Sequence, residues 1–261
     1  MFIYEEFGML DKPILLFIHG GGVGGWMWDG QVDYFKEYHC IVPTLAGHSS
    51  RNDETAFSIE KSAVELIELI ESIKGDRPVH LIGFSIGAQI GLTMVSLKPR
   101  LFETAVINSA LIIPQKSLLP FITPTVKLSF PLIKNRTFAR MQAKELHMEG
   151  EWFEKYYEET LKIKKETLCT VLQENMSFTL PISFSESTTK MLVTVGEKEK
   201  GIMQKSADQI TSANQNCCKL VIPRIGHGLP TALPSLFNKI VALWIEKQRI
   251  LDEEAIQNEL L

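Results

Sequence analysis

One serine stands between two glycines in the segment "GFSIG", residues 83–87. An apolar run precedes Gly83, and an apolar stretch of helical character follows Ser85. A strand that passes directly into a helix needs a sharp turn, and glycines on both sides remove Cβ atoms that would collide there. Such a turn holds the serine in a strained conformation with its hydroxyl above the end of the sheet. The pattern therefore predicts that Ser85 is a nucleophile.

A serine hydroxyl is a weak nucleophile near neutral pH unless a neighbouring base removes its proton. Of the six histidines, His227 has the most suitable position, because it follows a predicted strand in the glycine-flanked loop "RIGHG". That position predicts that His227 lies at the same sheet edge as Ser85. His48, in "AGHSS", is the rival candidate for the base, but we expect it to brace a loop, as we expect for His19.

The base in turn needs a carboxylate that fixes its tautomer and stabilises the imidazolium. The predicted strand Met191–Val195 is followed by "GEKEKG", which supplies Glu197 and Glu199. We favour Glu199 as this acid and keep Glu197 as the alternative, because spacing does not decide which carboxylate points inward.

A glycine-rich segment, "HGGGVGG" at residues 19–25, also follows a predicted strand. Its glycines formally match the dinucleotide fingerprint, but the next strand ends in Thr44 rather than in the acid that would bind a ribose. A phosphate-binding loop is excluded, because Trp26 and Met27 stand where Lys and Ser or Thr are required. What this segment can still contribute to chemistry is its backbone N–H groups, which no side chain obstructs.

Such amides can stabilise the negative charge that develops when a nucleophile attacks a carbonyl group. Ile86 follows the candidate nucleophile at a predicted helix N-terminus, where N–H groups are unpaired. We expect an oxyanion hole formed by the N–H groups of Ile86 and Gly21, with Gly22 as the alternative to Gly21.

Positioning these residues requires strands that end at one edge of a sheet. Short, continuously apolar runs alternate with longer helical patterns, which predicts strands buried on both faces of a parallel sheet. The fold class we predict is α/β, a mostly parallel doubly wound sheet. The predicted strands are Phe2–Glu5, Ile14–Ile18, Cys40–Pro43, Val79–Phe84, Thr104–Asn108, Met191–Val195 and Lys219–Ile222.

The alternation stops between about residues 114 and 186, where the chain is first rich in proline and then helical and aromatic. A loop of this length without structure would be improbable, so we predict a helical cap at residues 114–186 over a core of residues 1–113 and 187–261. Most aromatic side chains of the cap are expected to pack it onto the core. A few could instead bind an apolar part of a substrate; the candidates are Phe121, Phe130, Phe138 and Trp152.

Composition excludes several other classes of protein. The net charge is −4 and no basic face is visible, so we expect no nucleic-acid partner. The four cysteines have no metal-ligand spacing, and the N-terminal residues do not form a signal peptide. The longest apolar window is broken by prolines, so no membrane span is predicted. We expect a reduced, cytoplasmic protein.

Taken together, these motifs resemble those of a known superfamily. From about Ile14 to Gln248 the chain resembles the cap-bearing α/β-hydrolases, on the basis of "HGGG", "VPTLAGHSS", "GFSIG", "VGEKE" and "IPRIGHG". The order nucleophile, acid, histidine along the chain is the order of that family. The resemblance implies a serine hydrolase of the esterase type, in which Glu199 stands where family members usually have aspartate.

The function we expect is cleavage of a small carboxylic ester or thioester through an acyl-enzyme intermediate. This chemistry needs no metal and no organic cofactor, and its partner is a small-molecule substrate with an apolar part. Two alternatives stay open. The same three residues could carry out C–C or amide cleavage, acyl transfer or a lyase step, or the fold could serve a ligand-binding receptor with little turnover. The sequence leaves the oligomeric state open.

Overall fold

A single seven-stranded sheet organises the protein. The computed structural model describes residues 3–54 and 56–259, and within them the strand order is β1-β3-β2-β4-β5-β6-β7. The sheet is parallel throughout except for β1, which pairs antiparallel with β3. This topology confirms the predicted fold class. The strands are β1 (Tyr4–Gly8), β2 (Ile14–Ile18), β3 (His39–Pro43), β4 (Val79–Phe84), β5 (Thr104–Asn108), β6 (Lys190–Gly196) and β7 (Cys217–Ile222).

Helices cover the sheet and connect its strands. Those found in the described part of the chain are α1 (Asp29–Tyr34), α2 (Ile59–Ile73), α3 (Ile86–Leu97), α4 (Leu119–Ile133), α5 (Arg136–Glu145), α6 (Glu151–Lys162), α7 (Lys165–Ser177), α8 (Gly201–Ala213), α9 (Leu229–Ala232), α10 (Pro234–Lys247) and α11 (Glu253–Glu259). None of these described helices is both long enough and apolar enough to cross a membrane.

The residues of β2 show why the strands are apolar without alternation. Ile14, Leu16 and Ile18 belong to one buried cluster, together with side chains of α2, α3 and α8. Leu15 and Phe17 belong to a second cluster, which includes side chains of α1 and α10. Successive side chains of a strand point to opposite faces, so a strand covered by helices on both sides must be apolar at every position.

The edge strands depart most from the predicted bounds. The first strand begins at Tyr4 and continues to Gly8, beyond the predicted end at Glu5, and Phe2 lies outside the described residues. Glu5 and Glu6 are exposed, because β1 has a neighbour on one side only and is largely uncovered. The last strand, β7, begins two residues before the predicted start, at Cys217, and is also largely exposed. An apolar run therefore does not mark the full length of either edge strand.

Helices α4 to α7 all lie between β5 and β6 in the chain, and we call residues 114–186 the helical segment. The expectation that prolines break its first part is wrong, because α4 continues through Pro124 and Pro131. Each proline removes one N–H group from the helix. The carbonyls left without that donor are those of Pro120 and Lys127, both exposed residues, so no buried polar group is left unpaired by them.

Candidate active site

The turn between β4 and α3 has the geometry that its glycines predict. Ser85 has φ +55° and ψ −114°, an unusual conformation for a residue with a side chain. A Cβ atom on Gly83 would lie 2.6 Å from the carbonyl oxygen of Gly87. A Cβ atom on Gly87 would lie 2.3 Å from the carbonyl oxygen of Ile18 in β2. Both contacts are too close for any other residue type, so the two glycines allow α3 to start directly above the sheet.

The structure brings the three candidate catalytic side chains into one hydrogen-bonded row. Nε2 of His227 lies 3.1 Å from Oγ of Ser85, and Nδ1 of His227 lies 2.8 Å from Oε2 of Glu199. A carboxylate only accepts hydrogen bonds, so the network assigns the proton to Nδ1 and leaves Nε2 free to accept the serine proton. A hydroxyl beside an unprotonated imidazole nitrogen can act as a nucleophile.

Glu199 is the most enclosed member of the row, with 2% of its side chain exposed. Burial acts to raise its pKa, but hydrogen bonds from His227, the Gly196 N–H and the Ser109 hydroxyl outweigh burial, so the pKa of Glu199 lies below its usual value. Oε1 accepts from the Gly196 N–H at 2.9 Å and from the Ser109 hydroxyl at 2.7 Å. The carboxylate is therefore ionised and oriented before any substrate arrives.

The alternative acid, Glu197, points elsewhere. Its Oε2 accepts a hydrogen bond of 2.8 Å from the backbone N–H of Arg224, and the residue is exposed. Of the two carboxylates that spacing left open, the structure brings only Glu199 to His227.

The candidate oxyanion hole lies where the loop after β2 meets the start of α3. A Cβ atom on Gly21 would lie 3.7 Å from Cγ2 of Ile86, so the two residues are neighbours. Among the described residues, neither the Gly21 nor the Ile86 N–H group has an acceptor. The Gly22 N–H group instead donates to Nε2 of His48 at 3.1 Å. Of the two glycines considered for the oxyanion hole, Gly21 has its N–H group free.

Two buried histidines hold this loop and are kept neutral. Burial lowers the pKa of His19 to about 3, helped by the nearby His48, against the hydrogen bond to the Gly20 carbonyl. Nε2 of His19 accepts from the Leu45 N–H at 3.2 Å. Burial likewise lowers the pKa of His48, whose Nδ1 donates to the carbonyl of Ala46 at 3.0 Å. Both rings brace loops, as expected, and the hydrogen bonds found for them within the described residues go to the backbone rather than to Ser85 or its partners.

A cavity of about 250 Å³ opens beside the candidate nucleophile. Helices α5, α6 and α7 supply most of its outer wall, and the loops that carry Gly21 and His48 supply its floor. Its lining residues are Gly21, Gly22, Gly47, His48, Ser49, Ser85, Ile86, Ile133, Gln142, Tyr156, Glu159, Thr160, Ile163, Leu168, Val171, Leu172 and Asn175. No group of three His, Cys, Asp or Glu side chains within residues 3–54 and 56–259 is arranged to hold a metal ion.

The four aromatic residues expected at the substrate do not line this cavity. Phe121 is 64% exposed on α4, and the ring of Phe130 carries the Lys134 ammonium group 5.2 Å above it. Phe138 is half-buried near the start of α5, and Trp152 packs against Trp26 with 5.9 Å between ring centroids. The helices turn these positions away from the cavity and turn aliphatic residues of α7 towards it.

Two further polar residues of the site, Ser109 and Glu159, are not among those predicted from the sequence. Ser109 follows β5 directly, has φ +56° and bonds to Glu199. Glu159 lies in α6 and reaches the Ser49 loop across the cavity. The position of Ser109 at the carboxyl end of a central strand could have marked it, whereas nothing in the local sequence marks Glu159 among the other acidic residues of α6.

Curated proteins match part of this chain. The chain is 33% identical over 108 residues to a protein of Stutzerimonas stutzeri provisionally named carbamate hydrolase RutD, a match that covers 40% of each of the two proteins. It is 28% identical over 88 residues to the pimeloyl-[acyl-carrier protein] methyl ester esterase of Methylococcus capsulatus, which covers 33% of each. The chain therefore matches well under half the length of these curated relatives.

Solved structures match over almost the whole chain. The esterase EaEST from Exiguobacterium antarcticum superposes with a TM-score of 0.80 at 14% sequence identity, covering 94% of this chain and 96% of the esterase. At such low identity the match shows the fold alone. The names of the relatives agree with the expectation of an enzyme of the hydrolase class. A family model described as "Alpha/beta hydrolase family" matches residues 15–239, so the chain belongs to the alpha/beta hydrolase family, as its resemblance predicted.

Proposed function

We propose that this protein is a serine hydrolase that cleaves a carboxylic ester or thioester through an acyl-enzyme intermediate. The observation that carries the proposal is the continuous row from Ser85 through His227 to Glu199, with distances of 3.1 and 2.8 Å. The names of the curated relatives, a carbamate hydrolase and a methyl ester esterase, also support a hydrolase.

The first half of the reaction transfers the acyl group to the protein. Oγ of Ser85 attacks the carbonyl carbon while Nε2 of His227 takes the hydroxyl proton, and Glu199 stabilises the resulting imidazolium. The tetrahedral oxyanion accepts hydrogen bonds from the N–H groups of Gly21 and Ile86. Loss of one such donor typically slows a hydrolase about 10²–10³-fold. The intermediate collapses, and the alcohol or thiol leaves with the proton from His227.

The second half uses water in place of the serine. A water molecule gives a proton to Nε2 of His227 and attacks the acyl carbonyl, and the second tetrahedral intermediate releases the carboxylic acid and regenerates the Ser85 hydroxyl. Ester and water are consumed, and acid and alcohol are formed. We propose that the helical segment acts as a cap over this reaction, because α5, α6 and α7 wall the cavity at Ser85.

A fluorophosphonate probe and short-chain p-nitrophenyl esters test the proposal together. We expect the probe to label Ser85 in the folded protein, and we expect Ser85→Ala to lower kcat by about 10⁴-fold or more. A matched control is Ser96→Ala, which removes a hydroxyl that bonds to the Leu92 carbonyl within α3, away from the row, and should keep turnover. Absence of label on Ser85, or equal turnover by Ser85→Ala and the natural protein, would contradict the proposal.

A further inference from the structure

The wall of the cavity carries one carboxyl group and, among the described residues that line it, no Lys or Arg. That carboxyl belongs to Glu159 of α6, a residue that is 8% exposed. Buried acidic groups are costly unless something nearby compensates the charge. The partners of Glu159 therefore show whether the protein itself compensates this charge or leaves that to a bound substrate.

Glu159 is held by a single residue from the core. Its Oε2 accepts from the Ser49 N–H at 3.1 Å, and its Oε1 accepts from the Ser49 hydroxyl at 2.8 Å. An ionised carboxylate has about four lone-pair sites, so about two remain open to face a positively charged group. The two bonds fix the orientation of the group without neutralising it.

Several cations lie near this contact in sequence, and among the described residues none pairs with Glu159: Lys155 pairs with Asp29, and Lys162 is exposed. Arg51 pairs with Glu54 and Glu65, and Lys164 contacts Asp53 on the surface. His48, which also lines the cavity, accepts a hydrogen bond at Nε2 and donates one at Nδ1, the pattern of a neutral ring. The described residues around the cavity thus offer Glu159 hydrogen bonds but no positive charge.

Much of the remaining wall is aliphatic, and the polar side chains that interrupt it there, among them Gln142, Thr160 and Asn175, carry no charge. Five aliphatic side chains of the helical segment face the same space: Ile133, Ile163, Leu168, Val171 and Leu172. A ligand that fills the cavity and satisfies Glu159 would combine a hydrocarbon part with a positively charged group.

We infer that the site selects esters or thioesters that carry an ammonium group on an apolar chain, and that Glu159 is the residue that recognises this group. The inference rests on the proposed function, because it concerns the substrate of the same site. It also implies discrimination against substrates with a carboxylate at the corresponding position, since two negative charges would face each other in a place of low polarity.

Charge-matched ester pairs test this selectivity in the natural protein. On the acyl side we compare p-nitrophenyl 4-(trimethylammonio)butanoate with its uncharged isostere, p-nitrophenyl 5,5-dimethylhexanoate, and with anionic p-nitrophenyl hydrogen glutarate. On the alcohol side we compare acetylcholine, the acetate ester of choline, with its uncharged isostere, 3,3-dimethylbutyl acetate. In at least one pair we expect kcat/KM to be about tenfold higher for the cation, and we expect the anionic ester to be the poorest substrate.

Variants then assign the preference to one residue. Glu159→Gln should reduce the ratio of kcat/KM for the cationic and uncharged esters to about one, whereas Glu158→Gln, at an exposed position of the same helix, should leave it unchanged. Ser49→Gly removes one of the two bonds to the carboxylate but keeps its charge, and glycine suits the positive φ of +44° at this position. The cation preference should therefore survive in Ser49→Gly, even if Glu159→Gln folds poorly.

The outcomes separate this inference from the proposed function. Uncharged esters that are hydrolysed as fast as, or faster than, their cationic isosteres in both pairs would overturn the inference and leave the proposed function intact. A ratio that Glu159→Gln leaves unchanged, or that Ser49→Gly abolishes, would also overturn it and would make Glu159 a structural tie. Failure of the fluorophosphonate probe to label Ser85 contradicts the proposed function and this inference with it.

Discussion

Two neighbouring regions of the molecule are built by different means. At the turn that carries Ser85, backbone meets backbone: Gly83 lies against the start of α3, and Gly87 lies against the carbonyl of Ile18. At the joint between the helical segment and helices α2 and α3 of the core, side chains form the contacts. Oε2 of Glu174 accepts from the Ile59 N–H at 2.7 Å, and Gln89 exchanges hydrogen bonds with Asn175.

This difference separates the region proposed for the reaction, the Ser85 turn, from the region proposed for substrate selectivity, the helical segment. The Ser85 turn tolerates almost no change, because a single Cβ atom would collide with backbone that cannot move aside. The joint depends on paired side chains, and a pair can be replaced by another pair that is satisfied equally well. The backbone at Ser85 is therefore fixed by the core, whereas the shape and charge of the cavity can vary with the helical segment.

Glu199→Gln should lower kcat for p-nitrophenyl esters by about 10⁴-fold, because an amide cannot stabilise the imidazolium and favours the wrong tautomer of His227. Glu197→Gln is the matched control: its carboxylate contacts the Arg224 N–H, so we expect kcat within about twofold of the natural value. Stopped-flow or steady-state release of p-nitrophenol measures both. Equal losses in the two variants would mean that the acid is shared or wrongly assigned.

The sequence predicts the residues around Ser85 better than it predicts the wall of the cavity. It could predict that Ser85, His227 and Glu199 meet because each follows a parallel strand, and parallel strands bring their carboxyl ends to one edge. It favours Glu199 and leaves Glu197 as the alternative, since both lie in the same short turn and only the fold decides which points inward. It could not predict the wall of the cavity. Aromatic residues of α4, α5 and α6 are expected there, but α7 supplies aliphatic residues instead, because only packing decides which face of a helix points to the cavity.

His48→Phe tests the support of the oxyanion loop. The phenyl ring keeps much of the shape but has no acceptor for the Gly22 N–H, so the neighbouring Gly21 N–H loses its fixed direction. We expect kcat to fall several tens-fold, less than the loss of a whole oxyanion donor, while KM changes by a few-fold at most. His80→Phe, at the opposite edge of the sheet, should lower stability and leave kcat of the folded protein unchanged. A change confined to KM in His48→Phe would assign His48 to substrate binding instead.

The buried histidines below this loop should make the protein sensitive to acid. The pKa of His19 is lowered to about 3 in the folded state from 6.5 in the unfolded state, so only the unfolded chain gains this proton between those values. The free energy of unfolding should therefore decrease as the pH falls below about 6.5, by about 2 kcal/mol from His19 alone at pH 5. Urea unfolding at pH 7 and pH 5 measures it.

A pair of variants isolates that contribution. His19→Gln should show a smaller loss of stability between pH 7 and pH 5 than the natural protein, whereas His147→Gln, at an exposed position, should show the natural loss. If both variants lose the same stability on acidification, the proton uptake lies in other groups, such as His48 or His80, whose pKa values burial also lowers.

The smallest effect concerns the joint, where α7 packs against the loop of Gly47. Thr167 is fully buried there, and its hydroxyl has no hydrogen-bond partner within the described residues. Thr167→Val keeps the shape and removes an unpaired polar group, so we expect the free energy of unfolding to rise by up to about 1 kcal/mol. Thr189 is equally buried but donates to the Phe102 carbonyl at 3.0 Å, and Thr189→Val should lower stability by about 1 kcal/mol. Changes of opposite sign in the free energy of unfolding would show that the packing of α7 against the core is not optimised for stability, in contrast to the Ser85 turn. A loss in both variants would show instead that the Thr167 hydroxyl is satisfied, and that the joint is as fully bonded as the core.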